Sequence, residues 1–192
     1  MRIIAGSARG RALLAPKGRN TRPTLDRVKE SLFGILQFSI PGSRVLDLFA
    51  GSGNLGLEAL SRGADFALFN DHDAKCCTII RQNLEACGFP NKAMVLQLEA
   101  MQAISRIQAM GQRPFDFAFL DPPYRDGAQV AAQALFQRGL IAPGGMVIIE
   151  HSLQEPPHAV PGIMRLTDLR KYGDTGIAFF AEDSLQEARK EQ

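Results

Sequence analysis

Residues 44–56 read RVLDLFAGSGNLG, and the change of period inside this stretch decides the fold. RVLDLF is a short apolar run that reads as a buried strand, and the residues from Asn54 to Arg62 carry helical spacing. Between them Gly51 and Gly53, with Gly56 one turn later, write GxGxxG directly after a strand and at the start of a helix. Glycines at those points let the backbone approach a ligand closely and let the helix pack tightly on its strand.

Outward from this stretch, strand and helix patterns alternate. Strands are expected at 44–49, 65–70, 93–98 and 115–120, and helices at 54–62, 73–87, 100–110 and 127–138. That alternation predicts a parallel sheet with right-handed crossovers. A fifth strand, GMVIIEH at 145–151, follows the Pro143-Gly144-Gly145 turn. MRLTDLRKY at 164–172 and TGIAFFA at 175–181 flank Gly173-Asp174 as an antiparallel hairpin. The expectation is an α/β, Rossmann-like, mostly parallel seven-stranded sheet. Before Pro41 the pattern differs. RIIAG and RALLAP read as a β-hairpin, GRNTRPT as a basic loop, and 24–38 as a helix capped by Thr24, with Leu25, Val28, Leu32, Ile35 and Leu36 on one face. The chain thus divides into a basic extension at 1–40, a main domain at 41–183 and a charged, frayed tail at 184–192.

The chain has 192 residues, 45% hydrophobic and 22% charged, enough for one α/β domain with a small appendage. Its formal charge of +2 hides an asymmetry. Residues 1–30 carry eight basic side chains against two acidic ones, +6, while the remainder carries 14 against 18, −4. A basic arm on a mildly acidic body suits a polyanionic partner, although solvated basic patches that bind nothing are also common. Cys76, Cys77 and Cys87 fall in one helix, form no CxxC pair and fit a reducing compartment. His72, His151 and His158 are scattered, so no metal site is expected. The opening MRIIAGSARGR lacks the apolar core of a signal peptide, and no apolar run reaches the ~20 residues of a membrane span. A cytoplasmic protein with no membrane partner is expected.

The glycine loop alone suits NAD as well as S-adenosyl-L-methionine. Asp71, twenty residues past Gly51 and at the end of the second strand, is placed for ribose hydroxyls with either. Asp47 separates them. It lies within the first strand, four residues before the loop, near the ammonium and sulfonium of one ligand or the pyrophosphate of the other. Opposite unit charges ~4 Å apart at an effective dielectric of ~20 attract by ~4 kcal/mol, and like charges repel as much. The reading is therefore an S-adenosyl-L-methionine site built from Asp47, Ala50, Gly51, Gly53 and Asp71. Glu99-Ala100 after the third strand are placed for the adenine amine, and His72 for packing on the ring.

FDFAFLDPPY at 115–124 is a buried strand that stops in Asp121-Pro122-Pro123-Tyr124. Ligands of open α/β sheets gather at the carboxyl ends of strands, so Asp121 and Gly51 are expected to face one crevice. The prolines fix φ and cannot donate, leaving the Asp121 carboxylate and the Pro122 carbonyl as acceptors for one hydrogen-rich group, an amine. An exocyclic amine is a weak nucleophile because its lone pair is delocalised. Acceptors on its N–H groups favour pyramidalisation and stabilise the charge that develops there. Asp121 would orient the amine, and Tyr124 would stack on its planar group. An RNA base, a DNA base and a glutamine side chain all qualify.

With these motifs in place, the chain resembles the RsmD-type 16S rRNA guanine-N2 methyltransferases. The likeness runs through MRIIAG, RGR, TRPT, DRVKESLF, VLDLFAGSG, LGLEALSRGA, FLDPPY and KYGDT. It implies a class I S-adenosylmethionine-dependent methyltransferase fold and methylation of one guanine of bacterial 16S rRNA, guanine 966 in the usual rRNA numbering, on the small subunit or its assembly intermediate. By position, Asp47, Gly51, Gly53 and Asp71 match the cofactor motifs and Asp121, Pro122, Pro123 and Tyr124 the catalytic one. Asn54 departs from the family's alanine, Asp71 from its glutamate and Glu99 from its aspartate. Arg2, Arg9, Arg11, Lys17, Arg19 and Arg22 would hold rRNA phosphates, contacts that position without specifying. A monomer is the default expectation. The rival readings are an adenine-N6 methyltransferase acting on DNA or RNA, and a non-catalytic rRNA-binding assembly factor. A DNA adenine methyltransferase would be expected to carry a recognition region for which this chain has no room.

Overall fold

The computed structural model describes residues 1–16, 23–122 and 126–183. They fall into two units, Met1–Ala103 and Ile104–Gln192.

In the first unit the apolar runs become β1 (Arg44–Asp47), β2 (Phe66–Asn70) and β3 (Ala93–Leu96), parallel and in the order β3-β2-β1. Val45 pairs with Ala67 and Leu68 with Met94. Val45, Leu46, Ala67, Leu68 and Phe69 are fully buried, which is why the inner strands are continuously apolar rather than alternating. The helices are α1 (Pro23–Ile35), α2 (Asn54–Ser61), α3 (Ala74–Cys87) and α4 (Ala100–Ala109), the last running across the division between the units. Asp73, expected to open α3, is its cap. Its carboxylate accepts from the Lys75 N–H, and Gly88 ends the helix at φ 79°. Cys76, Cys77 and Cys87 lie on α3 as free thiols.

Helix α1 departs from expectation at both ends. It begins at Pro23, a residue favoured in a first turn, so Thr24 lies inside the helix. It stops at Ile35, after which Ile40 N–H bonds back to the Leu36 carbonyl in a turn. Val28, Leu32 and Leu36 are buried as the spacing predicts, but Ile35 is exposed and Phe33 fills the core in its place.

The expected hairpin of the arm forms in short form, as an antiparallel bridge of Arg2 with Ala12 flanked by bonds from Ile3 N–H to the Arg11 carbonyl, Gly10 N–H to the Ile3 carbonyl and Leu13 N–H to the Met1 carbonyl. Within the loop these bonds close, the backbone donors turn to α2 instead. The Glu58 carboxylate accepts from the N–H groups of Ile4 (2.8 Å) and Ala5 (3.0 Å), while Ser61 accepts from Ser7 N–H through its carbonyl and from Ala8 N–H through its hydroxyl. Ile3 is fully buried, and a Cβ on Gly6 would stand 1.8 Å from the Ser61 carbonyl oxygen. Glu58 also meets Lys29 of α1 at 3.0 Å and Arg62 at 2.8 Å. Lys29 in turn donates to the Arg2 carbonyl and to Asn54 Oδ1. Desolvation lowers the Lys29 pKa, against the opposing pull of Glu58. Residues 1–16 and α1 are therefore part of the first unit's packing, and Asn54, the family's alanine position, serves as an acceptor for a buried lysine.

The second unit holds β4 (Phe115–Leu120), α5 (Asp126–Gln137), β5 (Ile141–Ser152), β6 (Met164–Tyr172) and β7 (Thr175–Glu182), with strand order β4-β5-β7-β6. β4 and β5 are parallel; β5 with β7 and β6 with β7 are antiparallel. The hairpin turns at Gly173, φ 59°, as the Gly-Asp signal requires. β5 starts earlier than expected. Pro143-Gly144-Gly145 does not precede it but interrupts its register with β4, which shifts between Phe115–Ile141 and Phe117–Met146.

Candidate active site

In the first unit the residues read as a cofactor site lie at the carboxyl ends of β1, β2 and β3. After Asp47 the chain turns so that Ala50 N–H meets the Asn70 carbonyl at 2.9 Å and Gly53 N–H meets the Ala50 carbonyl at 2.7 Å. Gly51 and Gly53 adopt φ of 56° and 79°, a region L side chains avoid. Gly56 is required by packing instead, since a Cβ there would lie 2.3 Å from the Phe69 ring. The two acids organise this turn. Asp47 Oδ2 accepts from Gly56 N–H at 3.0 Å. Asp71 accepts from Gly51 N–H at 2.8 Å through one oxygen and from Asp73 N–H at 2.9 Å through the other. Both carboxylates are buried. His72 is exposed, with Nδ1 3.7 Å from Asp71. Glu99 is exposed immediately before Ala100 opens α4, and its carbonyl accepts from Ala103 N–H.

Two asparagines that sequence reading passed over complete this assembly. Asn70 Nδ2 donates to the carbonyls of Leu48 (3.1 Å) and Leu98 (3.0 Å), tying the loop after β1 to the loop after β3. Its Oδ1 is buried and has no hydrogen-bond partner among the described residues. Asn83 of α3 donates to the Ser52 and Leu14 carbonyls and accepts from Leu14 N–H, joining the glycine turn to the arm. A polar side chain closing an otherwise apolar strand was the signal for Asn70. Asn83 had none, because its partners are backbone atoms distant in sequence.

Of the arm's cations, Arg2, Arg9 and Arg11 are exposed, Arg2 lying 4.0 Å from Asp26. Lys17, Arg19 and Arg22 lie outside the described residues.

In the second unit a cavity of about 680 Å³ opens at the carboxyl ends of β4 and β5. Asp121, Pro122, Glu150, Gln129 and Asp174 are among the residues that line it. Pro123 and Tyr124 lie outside the described residues. Asp121 is exposed, whereas Glu150 is half-buried. Leu120 pairs with Ile149 in the parallel register, so the next residues are neighbours, Asp121 just past the end of β4 and Glu150 two residues before the end of β5. Burial, and then the charge of Asp121, push the Glu150 carboxyl up to about 8. The ring of His151 fits over Gly176, where a Cβ would come within 2.3 Å of it, and its Nδ1 lies 2.8 Å from the Ser152 carbonyl. Gln129 of α5 bonds both the N–H and the carbonyl of His158, holding the loop after β5 along one wall. Asp174 and Thr175, from KYGDT, also line the cavity. Glu150 was missed in the sequence. An ionisable residue directly after the apolar run MVII, near a strand's carboxyl end, was the available signal.

The chain matches the family model described as conserved hypothetical protein 95 over residues 1–181. It is 39% identical to YlbH of Bacillus subtilis across 94% of this chain and 98% of that protein. It is 37% identical to ribosomal RNA small subunit methyltransferase D of Haemophilus influenzae, covering 81% of each. Among solved structures it is similar to yhhF from Escherichia coli, with TM-score 0.82 and 30% identity over 96% of this chain and 98% of that one.

Proposed function

The chain belongs to the conserved hypothetical protein 95 family, that of the RsmD-type rRNA methyltransferases with their Rossmann-like α/β fold, and from this premise we propose that it methylates the N2 amine of one guanine of 16S rRNA, guanine 966 by family likeness. The methyl donor is S-adenosyl-L-methionine, which supplies an electrophilic methyl group on a sulfonium. The acceptor-rich ends of β1–β3 fit that donor. Asp47, Asp71, Glu99 and the unpartnered Asn70 Oδ1 offer lone pairs to ammonium, ribose hydroxyls and an adenine amine. A pyrophosphate would meet the negative charge of Asp47 and Asp71. Asp71 holds the Gly51 N–H while presenting its remaining lone pairs, so its short side chain serves the turn as well as the ligand.

Asp121 carries the catalytic reading. Its exposed carboxylate at the end of β4 accepts from the acceptor amine, and the Pro122 carbonyl supplies a second acceptor, orienting the nitrogen lone pair and stabilising its developing charge. Tyr124 stacks on the base. The observation that favours this reading is the Asp-Pro-Pro-Tyr motif at a strand end whose carboxylate faces a cavity large enough for a nucleoside. An acceptor within a stacked rRNA helix has to be splayed out to enter it. The work is cytoplasmic, on the small subunit or its precursor. Purified protein incubated with labelled S-adenosyl-L-methionine and small subunits should yield N2-methylguanosine on digestion to nucleosides. N6-methyladenosine as the product would favour the rival adenine reading, and no transfer to any subunit preparation the assembly-factor one.

The arm supplies the phosphate contacts. Because residues 1–16 contribute Ile3 and the backbone donors held by Glu58, charge removal tests it more cleanly than truncation. The double substitution Arg9→Ala, Arg11→Ala should weaken subunit binding without unfolding the protein. It should also flatten the dependence of log affinity on log salt by about 0.7–0.9 for each phosphate that is no longer neutralised. An unchanged slope in a filter-binding series would exclude these two arginines from the interface.

A further inference from the structure

Glu150 has no role in the transfer assigned to Asp121 and Pro122. It stands near the carboxyl end of β5, two residues before Ser152, beside Asp121 just past the end of β4, and both line the same cavity. We propose that these two carboxyls form a donor–acceptor pair that reads the amidine edge of the acceptor base. Glu150 carries a proton and donates a hydrogen bond to guanine N3, the ring nitrogen beside the N2 amine that bears a lone pair, while Asp121 carries none and accepts from the amine itself. The inference rests on the proposed role of Asp121 and deepens it by naming what the base must present: an N–H and, one atom away, a lone pair.

Two carboxylates at neighbouring positions of adjacent strands repel, and the pair lowers its energy by sharing one proton. The proton resides on the member that water solvates less. Asp121 is exposed and Glu150 half-buried, and the rise of the Glu150 carboxyl to about 8 follows from that burial and from the neighbouring Asp121. The other titratable groups lining the cavity are His151, Glu155 and His158 from β5 and the loop after it, and Asp174 from the β6–β7 turn. Among the described lining residues there is no lysine or arginine. A neutral carboxyl is therefore a donor the cavity otherwise finds only in histidine, amide and hydroxyl groups. Its ionisation replaces that donor with an acceptor facing a lone pair, so productive binding falls as pH rises through about 8.

The test joins a titration of the ligand-free protein to pH profiles of kcat/KM on small subunits. Carboxyl-labelled glutamate observed by carbon-13 NMR should show Glu150 titrating near 8, and Asp121→Asn should move that midpoint down. In wild type, kcat/KM should fall by about tenfold per pH unit on the alkaline side. Glu150→Gln, which keeps a donor, should abolish that fall and stay within about threefold of wild type at neutral pH, whereas Glu150→Ala should lose about tenfold or more at neutral pH. A Glu150 resonance titrating in the ordinary glutamate range overturns the proposal even if no variant folds. So does a Glu150→Gln variant as impaired as Glu150→Ala, because an ionised Glu150 would then be the working form. If Asp121→Ala is inactive while Glu150→Ala matches wild type at every pH, this pair is wrong and the assignment of Asp121 stands. An active Asp121→Ala removes the functional reading itself.

Discussion

Asp121→Ala should lower kcat on small-subunit particles by ~100–1000-fold, the loss typical when one preorganised electrostatic group is removed from a reaction centre. The carboxylate is exposed at the end of β4, so its removal leaves no cavity in the core and the thermal unfolding midpoint should stay near that of wild type. The bonds that order the glycine turn come from Asp47, Asn70, Asp71 and Asn83, all in the first unit. Affinity for S-adenosyl-L-methionine, read by calorimetry, should accordingly be nearly unchanged. Asp121→Asn, which retains one acceptor oxygen, should be the milder variant. A large loss of cofactor affinity in Asp121→Ala would instead place this residue on the donor rather than on the amine.

Glu58→Ala should be the most destabilising single change that leaves the cofactor turn and the Asp121 cavity intact in sequence. Glu58 and Lys29 are both buried, with side-chain exposures of 0% and 1%. Removing the carboxylate strands a buried ammonium and orphans the N–H groups of Ile4 and Ala5. Breaking a buried pair in this way costs about 3–5 kcal/mol, a large share of a domain's ~5–15 kcal/mol. The deficit should depend on pH. Burial already lowers the Lys29 pKa below 10.5, and the attraction of Glu58 is what opposes that shift. Without Glu58 the folded-state value drops further, so between it and 10.5 the unfolded chain binds more protons than the folded one. Stability of the variant must then recover as pH rises through that window. Urea unfolding at neutral and alkaline pH reads this directly: a deficit that is small, or that grows with pH, would mean the Lys29–Glu58 pair does not anchor the arm.

How far the sequence could be read tracks how local the physics is. β4 and β6 appear at the residues expected, because a continuous apolar run and a strand leading into a Gly-Asp turn are local signals. The arm pairs with itself only around Arg2 and Ala12, and the backbone donors of Ile4, Ala5 and Ala8 go to Glu58 and Ser61, more than fifty residues away in sequence, where no local pattern points. Helix α1 shows the same limit. Its apolar spacing placed Val28, Leu32 and Leu36 in the core, but could not foretell that Lys29 would be buried beside them against Glu58. At the site, the glycine turn and its acids were legible as a motif, while Asn70 and Asn83 were not. A motif names residues that meet a ligand, whereas these two meet carbonyls of neighbouring loops. Glu150 escaped for a further reason: its importance comes from standing next to Asp121 in the β4–β5 register, a neighbour that sequence order hides.

If this chain puts one methyl group on a guanine N2 of 16S rRNA, mass spectrometry of 16S rRNA from cells with and without the gene will register it. The deletion should remove a single N2-methylguanine, the wild-type gene should restore it, and the Asp121→Ala gene should not. An unchanged set of modified nucleosides in the deletion would rule out the proposed reaction, and restoration by Asp121→Ala at the wild-type level would rule out the proposed site.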